Sequence, residues 1–462
     1  MQAAIIDRLR AEFDATTILT GADIGARYHT DMAGVAVDLP LAVLRPRTTE
    51  DVSRILTLCH AARVPVTTQG GMTGLVRATM PEPNEIVLSL ERMNAIEEVD
   101  ASGGVVIAQA GVPLQRLQER VDQDGFMFPL DLGSRGSCTI GGNISTNAGG
   151  NRVIRYGMTR DLVLGLEAVL ADGTVLKGVR KYIKNNTEID LKQLFVGTEG
   201  TLGVVTRAAL RIFPAPAEQQ VALCALASFD QVRALLTLAR KRLGGELTAF
   251  EVMWNSYYRL TTELVKGVAR PLPADQPFYV LFEASGSDAE RLRSDLERLL
   301  EEALGEDIIL DATIASSGAA AAAIWRIRDS SVELGRALGP GVGFDVSLAI
   351  DRMEAFADAV DKAVKTIHSD AYAIVFGHAG DGNLHVNVKY PPPDDRRDEV
   401  SKLFYGITGD FGGSISAEHG IGILKRPYLK ISRTAEEIET MRTLKRALDP
   451  HQILTPGRIF TM

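Results

Sequence analysis

Three imidazoles and two carboxylates fall in two short glycine-bracketed segments of this chain. Residues 377–389 read Gly-His-Ala-Gly-Asp-Gly-Asn-Leu-His-Val-Asn-Val-Lys, and residues 416–420 read Ser-Ala-Glu-His-Gly. The chain has seven histidines in all, so placing His378, His385 and His419 beside Asp381 and Glu418 marks a candidate metal site. A lone strand histidine is more often a satisfied polar residue. Neutral imidazole with carboxylate and no cysteine suits Zn²⁺, Mn²⁺ or Fe²⁺, and Zn²⁺ is the usual occupant of an open three-ligand catalytic site. The residue types do not select among the three ions.

The elements that must hold these groups are legible around them. Ala373-Ile374-Val375-Phe376 is an apolar β-type run, residues 377–382 form a glycine-rich turn, and Asn383 to Lys389 alternates strictly. Asn383, His385 and Asn387 therefore share one face of a strand, while Leu384, Val386 and Val388 face a core. His378 sits at the turn that leads into that strand, so two imidazoles converge at one sheet edge.

A chain of 462 residues exceeds the size at which one core stops growing, so at least two domains are expected. Hydrophobic residues at 45% and charged residues at 24% are ordinary for a soluble protein. The net charge of −9 argues against a nucleic-acid partner. No stretch of apolar residues is long enough to span a membrane. The charged, helix-patterned N-terminus suggests a cytoplasmic protein, with peripheral attachment to a membrane left open. Cys59, Cys138 and Cys224 form no CxxC pair and read as buried, unpaired thiols.

Glycine is dense between residues 65 and 203. The helical stretch Thr49 to Cys59 leads to a strand at Val64 to Thr68, followed at once by Gln69-Gly70-Gly71-Met72-Thr73-Gly74. Further glycine turns occur at 141–150 and 197–203, and Phe213-Pro214-Ala215-Pro216 marks a linker. Beyond it, strands (Val221 to Leu226, Phe278 to Ala284) alternate with helices (Phe229 to Arg242, Ala289 to Leu304), the rhythm of helices packed on one face of an antiparallel sheet. A last helix spans Glu436 to Arg446. No GxGxxG and no Gly-Lys-Ser/Thr occurs, so neither a Rossmann turn nor an NTPase loop is indicated. Backbone N–H groups of the 70–74 turn could instead form a nest for a pyrophosphate.

Several motifs together carry a resemblance. Leu-Arg-Pro-Arg (44–47), Pro-Val-Thr-Thr-Gln-Gly-Gly-Met-Thr-Gly-Leu (65–75), Thr-Ile-Gly-Gly-Asn-Ile-Ser-Thr-Asn-Ala-Gly-Gly (139–150), Arg-Tyr-Gly (155–157) and Leu-Phe-Val-Gly-Thr-Glu-Gly-Thr-Leu-Gly-Val-Val-Thr (194–206) resemble the FAD domain of the vanillyl-alcohol oxidase superfamily. The histidine motifs and the closing Leu-Asp-Pro-His-Gln-Ile-Leu-Thr-Pro-Gly-Arg are similar to its branch of flavin-linked D-lactate dehydrogenase, the glycolate oxidase FAD subunit and D-2-hydroxyglutarate dehydrogenase. The likeness implies an α+β chain. Its parts are a p-cresol methylhydroxylase-type FAD domain (1–214), an α+β cap with an antiparallel sheet (215–424) and a C-terminal segment (425–462) returning to the FAD domain.

The resemblance also implies residue roles. Gly70, Gly71, Thr73 and Gly74, with Met72 and Leu75 of the same loop, would hold the FAD pyrophosphate. Pro129, Ser134, Thr139, Gly142, Ser145, Asn147, Gly149, Gly150, Glu199, Gly203 and Val205 would line the rest of the cofactor. No His or Cys stands in the Gln69 to Leu75 loop, so FAD is expected to be non-covalent. His378, His385 and Glu418 would be the metal ligands and His419 the general base. Glu418 and His419 can share one site only if the chain bends there, which Gly420 permits. Arg328, in Trp325-Arg326-Ile327-Arg328, would take the substrate carboxylate, and Asn387 would also contact substrate.

The implied reaction is oxidation of a D-2-hydroxy acid, with the hydroxyl polarised by the metal and the Cα hydride passing to flavin N5. Two positions depart from the D-2-hydroxyglutarate enzymes. Val332 and Gly343 stand where those enzymes carry the Thr and Lys that hold the second carboxylate. A D-lactate-like monocarboxylate is therefore expected, since an unpaired buried carboxylate costs several kcal/mol. D-2-hydroxyglutarate or D-malate oxidation, a flavin subunit dependent on partner chains, and a metal hydrolase are the competing readings. The last leaves the glycine-rich half unexplained. With no Fe–S or haem motif, electrons are expected to leave to an external quinone, cytochrome or electron-transfer flavoprotein; a homodimer is only a prior.

Overall fold

The computed structural model describes residues 2–187, 189–392 and 395–462. The chain forms two compact units, one of Met1–Gly150, Gly157–Ala215 and Glu418–Met462, the other of Asn151–Tyr156 and Pro216–Ala417. The crossing into the main body of the second unit falls between Ala215 and Pro216, within the Phe213-Pro214-Ala215-Pro216 run read as a linker. The return falls at Glu418 rather than residue 425, and the short 151–156 excursion was not anticipated.

Among the described residues, the first unit has two main sheets and a short two-stranded one, Phe126–Met127 with Phe213–Pro214. In the smaller main sheet, Ala42–Leu44, Ile86–Ser89 and Val66–Gln69 pair in parallel, and Ile18–Leu19 adds an antiparallel edge. The larger, antiparallel throughout, runs Ile96–Asp100, Val105–Gln109, Val204–Arg211, Val163–Val169, Val175–Gly178. The helix Thr49–Ala62 shows why such segments fold as read. Thr48 and Asp51 form a capping box, Val52, Ile55, Leu56 and Cys59 make a buried stripe at helical spacing, and Arg63 ends the helix in the left-handed region. The C-terminal segment joins this unit by a parallel bridge between Leu454 and Val66. A fully buried pair, Arg458 Nη1 donating to Glu85 Oε1 at 2.8 Å, fixes it there.

The second unit carries one seven-stranded sheet. Its strands are β1 (Glu218–Leu226), β2 (Leu247–Trp254), β3 (Phe278–Gly286), β4 (Asp311–Ile314), β5 (Gly341–Ser347), β6 (Tyr372–Gly377) and β7 (Asn383–Lys389), in spatial order β4-β1-β3-β2-β6-β7-β5. Every pairing is antiparallel, the sheet type read from the sequence. On β7, Leu384, Val386 and Val388 are fully buried while His385 and Asn387 are half-buried. Two helices follow β4: α1 (Gly318–Asp329), capped by Ser317, and α2 (Ser331–Ala337). No helix among the described residues is long and apolar enough to cross a membrane.

Candidate active site

In the second unit, β2 and β6 position a buried triad. Glu251 projects from β2 and is fully buried. Its Oε2 accepts from Arg328 Nε at 2.8 Å and its Oε1 meets His378 Nδ1 at 2.6 Å. Arg328 Nη2 lies 2.7 Å from His378 Nε2. Guanidinium can only donate, so Nε2 accepts and the Nδ1 proton points at Glu251. Burial pushes the Glu251 carboxyl up, but His378 and Arg328 outweigh it and leave the group at about 2. Burial works against the Arg328 charge as well, and Glu251 reverses that, so the guanidinium stays protonated. Arg328 also lies over the Phe376 ring, 5.6 Å from its centroid.

His385 stands beside this triad. Its ring packs edge-on to His378 with centroids 5.3 Å apart, and ring nitrogens of the two come within 4.8 Å. Asn387 follows on the same face of β7, and the β5 register sets Asp345 opposite His385 and Gly343 opposite Asn387. A second carboxylate, Glu283 of β3, accepts from Trp325 Nε1 at 3.2 Å and from Thr248 Oγ1 at 2.8 Å. Trp325 and Arg328 of α1 are thus each tied to a glutamate on neighbouring strands. Neither glutamate was singled out from the sequence. The signal was present: one carboxylate in Leu-Thr-Ala-Phe-Glu-Val-Met-Trp and one in Phe-Tyr-Val-Leu-Phe-Glu-Ala, where an otherwise apolar strand can bury a charge only if it is paired.

In the first unit a cleft is lined by Gly70, Thr139, Gly142, Ser145, Glu199, Gly203 and Val205 of the expected cofactor residues, together with Thr68, Gly141 and Gly200. A Cβ on Gly70 would stand 2.5 Å from Thr139 Oγ1. The hydroxyls of Thr68 and Thr139 face this cleft buried and without a hydrogen-bond partner, which a polar cofactor would satisfy. The remaining expected residues are placed differently. Gly71 is packed on the 137–138 backbone, where its Cβ would fall 2.1 Å from Ser137 O. Met72, Thr73, Gly74 and Leu75 continue that loop, with Met72 at φ 59°. Asn147 ends the helix Ile140–Thr146 in the left-handed region and accepts from Arg160 N. Gly150 lies against Asp131 O, and Pro129, Ser134 and Gly149 are also outside the cleft lining.

Glu418 and His419 lie in a bend spanning 417–419, not in an extended strand, and Gly420 follows at φ 81°.

Two family models match the sequence: "FAD binding domain" over residues 40–178 and "FAD linked oxidases, C-terminal domain" over 215–459. The chain belongs to the FAD-linked oxidases. Among its relatives, the mitochondrial D-2-hydroxyglutarate dehydrogenase of Danio rerio is 40% identical over 416 residues, 90% of this chain and 77% of that one. The Bos taurus protein of the same name is 41% identical over 422 residues (90% and 76%). The D-2-hydroxyglutarate dehydrogenase of Xanthomonas citri is 38% identical over 428 residues (91% and 89%). Among solved structures, p-cresol methylhydroxylase with substrate bound superposes at TM-score 0.78 with 15% identity, covering 99% of this chain and 97% of that one. Alkyldihydroxyacetonephosphate synthase superposes at 0.77 with 17% identity, covering 98% and 85%. The fold is thus of the p-cresol methylhydroxylase type, and the chain is an FAD-linked oxidoreductase. The cleft suits that cofactor, with bare glycine backbone where side chains would intrude and unpaired hydroxyls facing inward.

Proposed function

We propose that this chain oxidises a D-2-hydroxy acid to the 2-oxo acid, with a D-lactate-like monocarboxylate preferred. The observation that carries the reading is the Glu251–His378–Arg328 triad beside His385 and Asn387. It sets a fixed cation and two oriented imidazoles on one sheet, as binding and deprotonating a 2-hydroxy carboxylate requires. Arg328 Nε is committed to Glu251 and Nη2 to His378 Nε2, so the substrate carboxylate is proposed to take the remaining Nη protons in place of Asp329, whose carboxylate lies 3.6 Å from Nη1, with Asn387 donating to the same substrate. His419 is proposed to take the hydroxyl proton. Bound FAD supplies the hydride acceptor, and an external quinone, cytochrome or electron-transfer flavoprotein is proposed as the final acceptor.

The donor set also fits a divalent ion held by His378, His385 and Glu418, with Zn²⁺ favoured over Mn²⁺ and Fe²⁺. Glu251 keeps the His378 proton on Nδ1, which directs Nε2 to the ion, the arrangement common to metal-bound imidazoles. Ala417 N donates to Asp345 Oδ2 at 3.1 Å, and Asp345 stands opposite His385 in the strand register, so Glu418 is the next residue after that anchor. Such an ion would supply Lewis acidity at the substrate hydroxyl. It requires Arg328 Nη2 to leave His378 Nε2. Elemental analysis of purified protein is expected to give about one divalent ion per chain, and His385→Ala to lower metal affinity by about 10- to 100-fold or more with FAD retained. Full metal content in His385→Ala would remove the ion from this account.

The names of the relatives favour D-2-hydroxyglutarate as substrate. Against that reading, Val332 and Gly343 offer no donor, and Lys389, on the same face of β7 as His385 and Asn387, is occupied. Lys389 is buried, and its ammonium donates to the carbonyls of Gly335 (3.2 Å) and Gly339 (2.7 Å), closing the end of α2. The cytoplasmic placement rests on the N-terminal sequence alone, and several relatives carry "mitochondrial" in their names.

A further inference from the structure

Glu199 lines the cofactor cleft, and its carboxylate also holds a turn of the C-terminal segment. The residue adopts φ 52° in Gly197-Thr198-Glu199-Gly200, a conformation that costs a non-glycine residue and persists only where its surroundings demand it. Its backbone N–H donates to Ser145 O at 2.8 Å, which fixes it on the cleft wall. Its two side-chain oxygens each accept one backbone N–H, Oε1 from Ile421 at 2.6 Å and Oε2 from Gly422 at 2.8 Å. The group is buried, and burial pushes its carboxyl up to about 7 against the pull of these two donors and of Lys425.

The segment held this way begins directly after Glu418 and His419. It is also pinned to the far side of the glycine loop, where Ile423 N donates to Val76 O at 2.9 Å, and to the C-terminus, where Ile459 N donates to Gly422 O at 3.0 Å. Gly420 is pressed onto the same carboxylate, since a Cβ there would fall 2.6 Å from Glu199 Oε1. Burying a carboxylate in order to fasten two backbone amides is costly, and a fold needing only a turn there would use a neutral acceptor.

We infer that Glu199 is a positioning residue: it clamps the turn that carries Glu418 and His419 to the wall of the flavin cleft, so that the base and the ligand are set by the cofactor domain. The inference rests on the roles proposed above for Glu418 and His419. Glu199→Gln keeps the size and places an amide N–H₂ against a backbone donor, so one of the two bonds is lost. Hydrogen–deuterium exchange of the FAD-loaded enzyme, with FAD affinity measured alongside, tests this. In Glu199→Gln, amides of 420–424 are expected to exchange about tenfold faster or more, with flavin reduction slowed in kcat rather than KM and by more than any loss of FAD affinity. Gly420→Ala, strained in φ and pushed against the carboxylate, is expected to reproduce the exchange change, and serves if Glu199→Gln fails to fold. Unchanged exchange at 420–424, or a loss of FAD affinity as large as the loss in rate, would overturn the inference. The exchange readout needs no substrate, so it stands apart from whether a D-2-hydroxy acid reduces the flavin.

Discussion

Replacing Glu251 with glutamine is expected to be among the most damaging single changes in the chain, although no substrate is expected to touch it. The residue neutralises a buried guanidinium and orients the imidazole beside it. Glutamine can accept from Arg328 or from His378 but presents an amide donor to the other. Breaking a fully buried pair by removing one partner costs about 3–5 kcal/mol, because the remaining charge stays unpaired in a dry site. Loss of the imidazole's oriented proton is expected to weaken metal binding by about 10- to 100-fold. Urea unfolding, metal analysis and flavin reduction on one preparation separate these effects. The expected pattern is lower stability, lower metal content and a rate of flavin reduction down by about a hundredfold or more. A variant as stable and as fast as wild type would show that the triad is incidental to the chemistry.

The second large effect is a gain. Val332→Thr with Gly343→Lys is expected to raise kcat/KM for D-2-hydroxyglutarate by about 10- to 100-fold while leaving D-lactate turnover within a few-fold. The figure follows from one added charge-assisted hydrogen bond of about 1.5–3 kcal/mol, each 1.4 kcal/mol being a factor of ten. At Gly343 the change requires the Asn387 side chain to shift by a few tenths of an ångström. Val332 is 59% exposed, and a Cβ at Gly343 would meet only the tip of Asn387, 3.2 Å away. Steady-state kinetics on both substrates decides the matter. Failure to gain activity on the dicarboxylate, in a folded and FAD-loaded variant, would mean that these two positions do not set the substrate.

Which parts were legible in advance follows from how local each signal is. The strict alternation from Asn383 to Lys389 put His385 and Asn387 on one face and three aliphatic residues in the core, and the strand occupies that span. Helices such as Phe229–Leu243 begin at a Ser228–Gln231 capping box that is visible in the residues themselves. Glu251 and Glu283 were not read, because their role depends on partners far along the chain, Arg328 and His378 in one case and Trp325 in the other. The packing of α1 on the sheet and the turn after β6 bring these together. Glu199 was noticed, but through the resemblance. What its carboxylate does depends on a left-handed backbone conformation and on a turn more than two hundred residues away. The 151–156 excursion into the second unit likewise has no local mark, since its Arg152 bonds Glu283 in that unit's sheet.

The most direct test of the central claim is anaerobic. Purified, FAD-loaded protein is mixed with D-lactate, L-lactate, D-malate and D-2-hydroxyglutarate, and the visible flavin absorbance is followed with no added acceptor. The account predicts rapid bleaching by D-lactate, none by L-lactate, and slow or no bleaching by the two dicarboxylates. Bleaching by L-lactate as fast as by D-lactate, or none by any D-2-hydroxy acid, would contradict it.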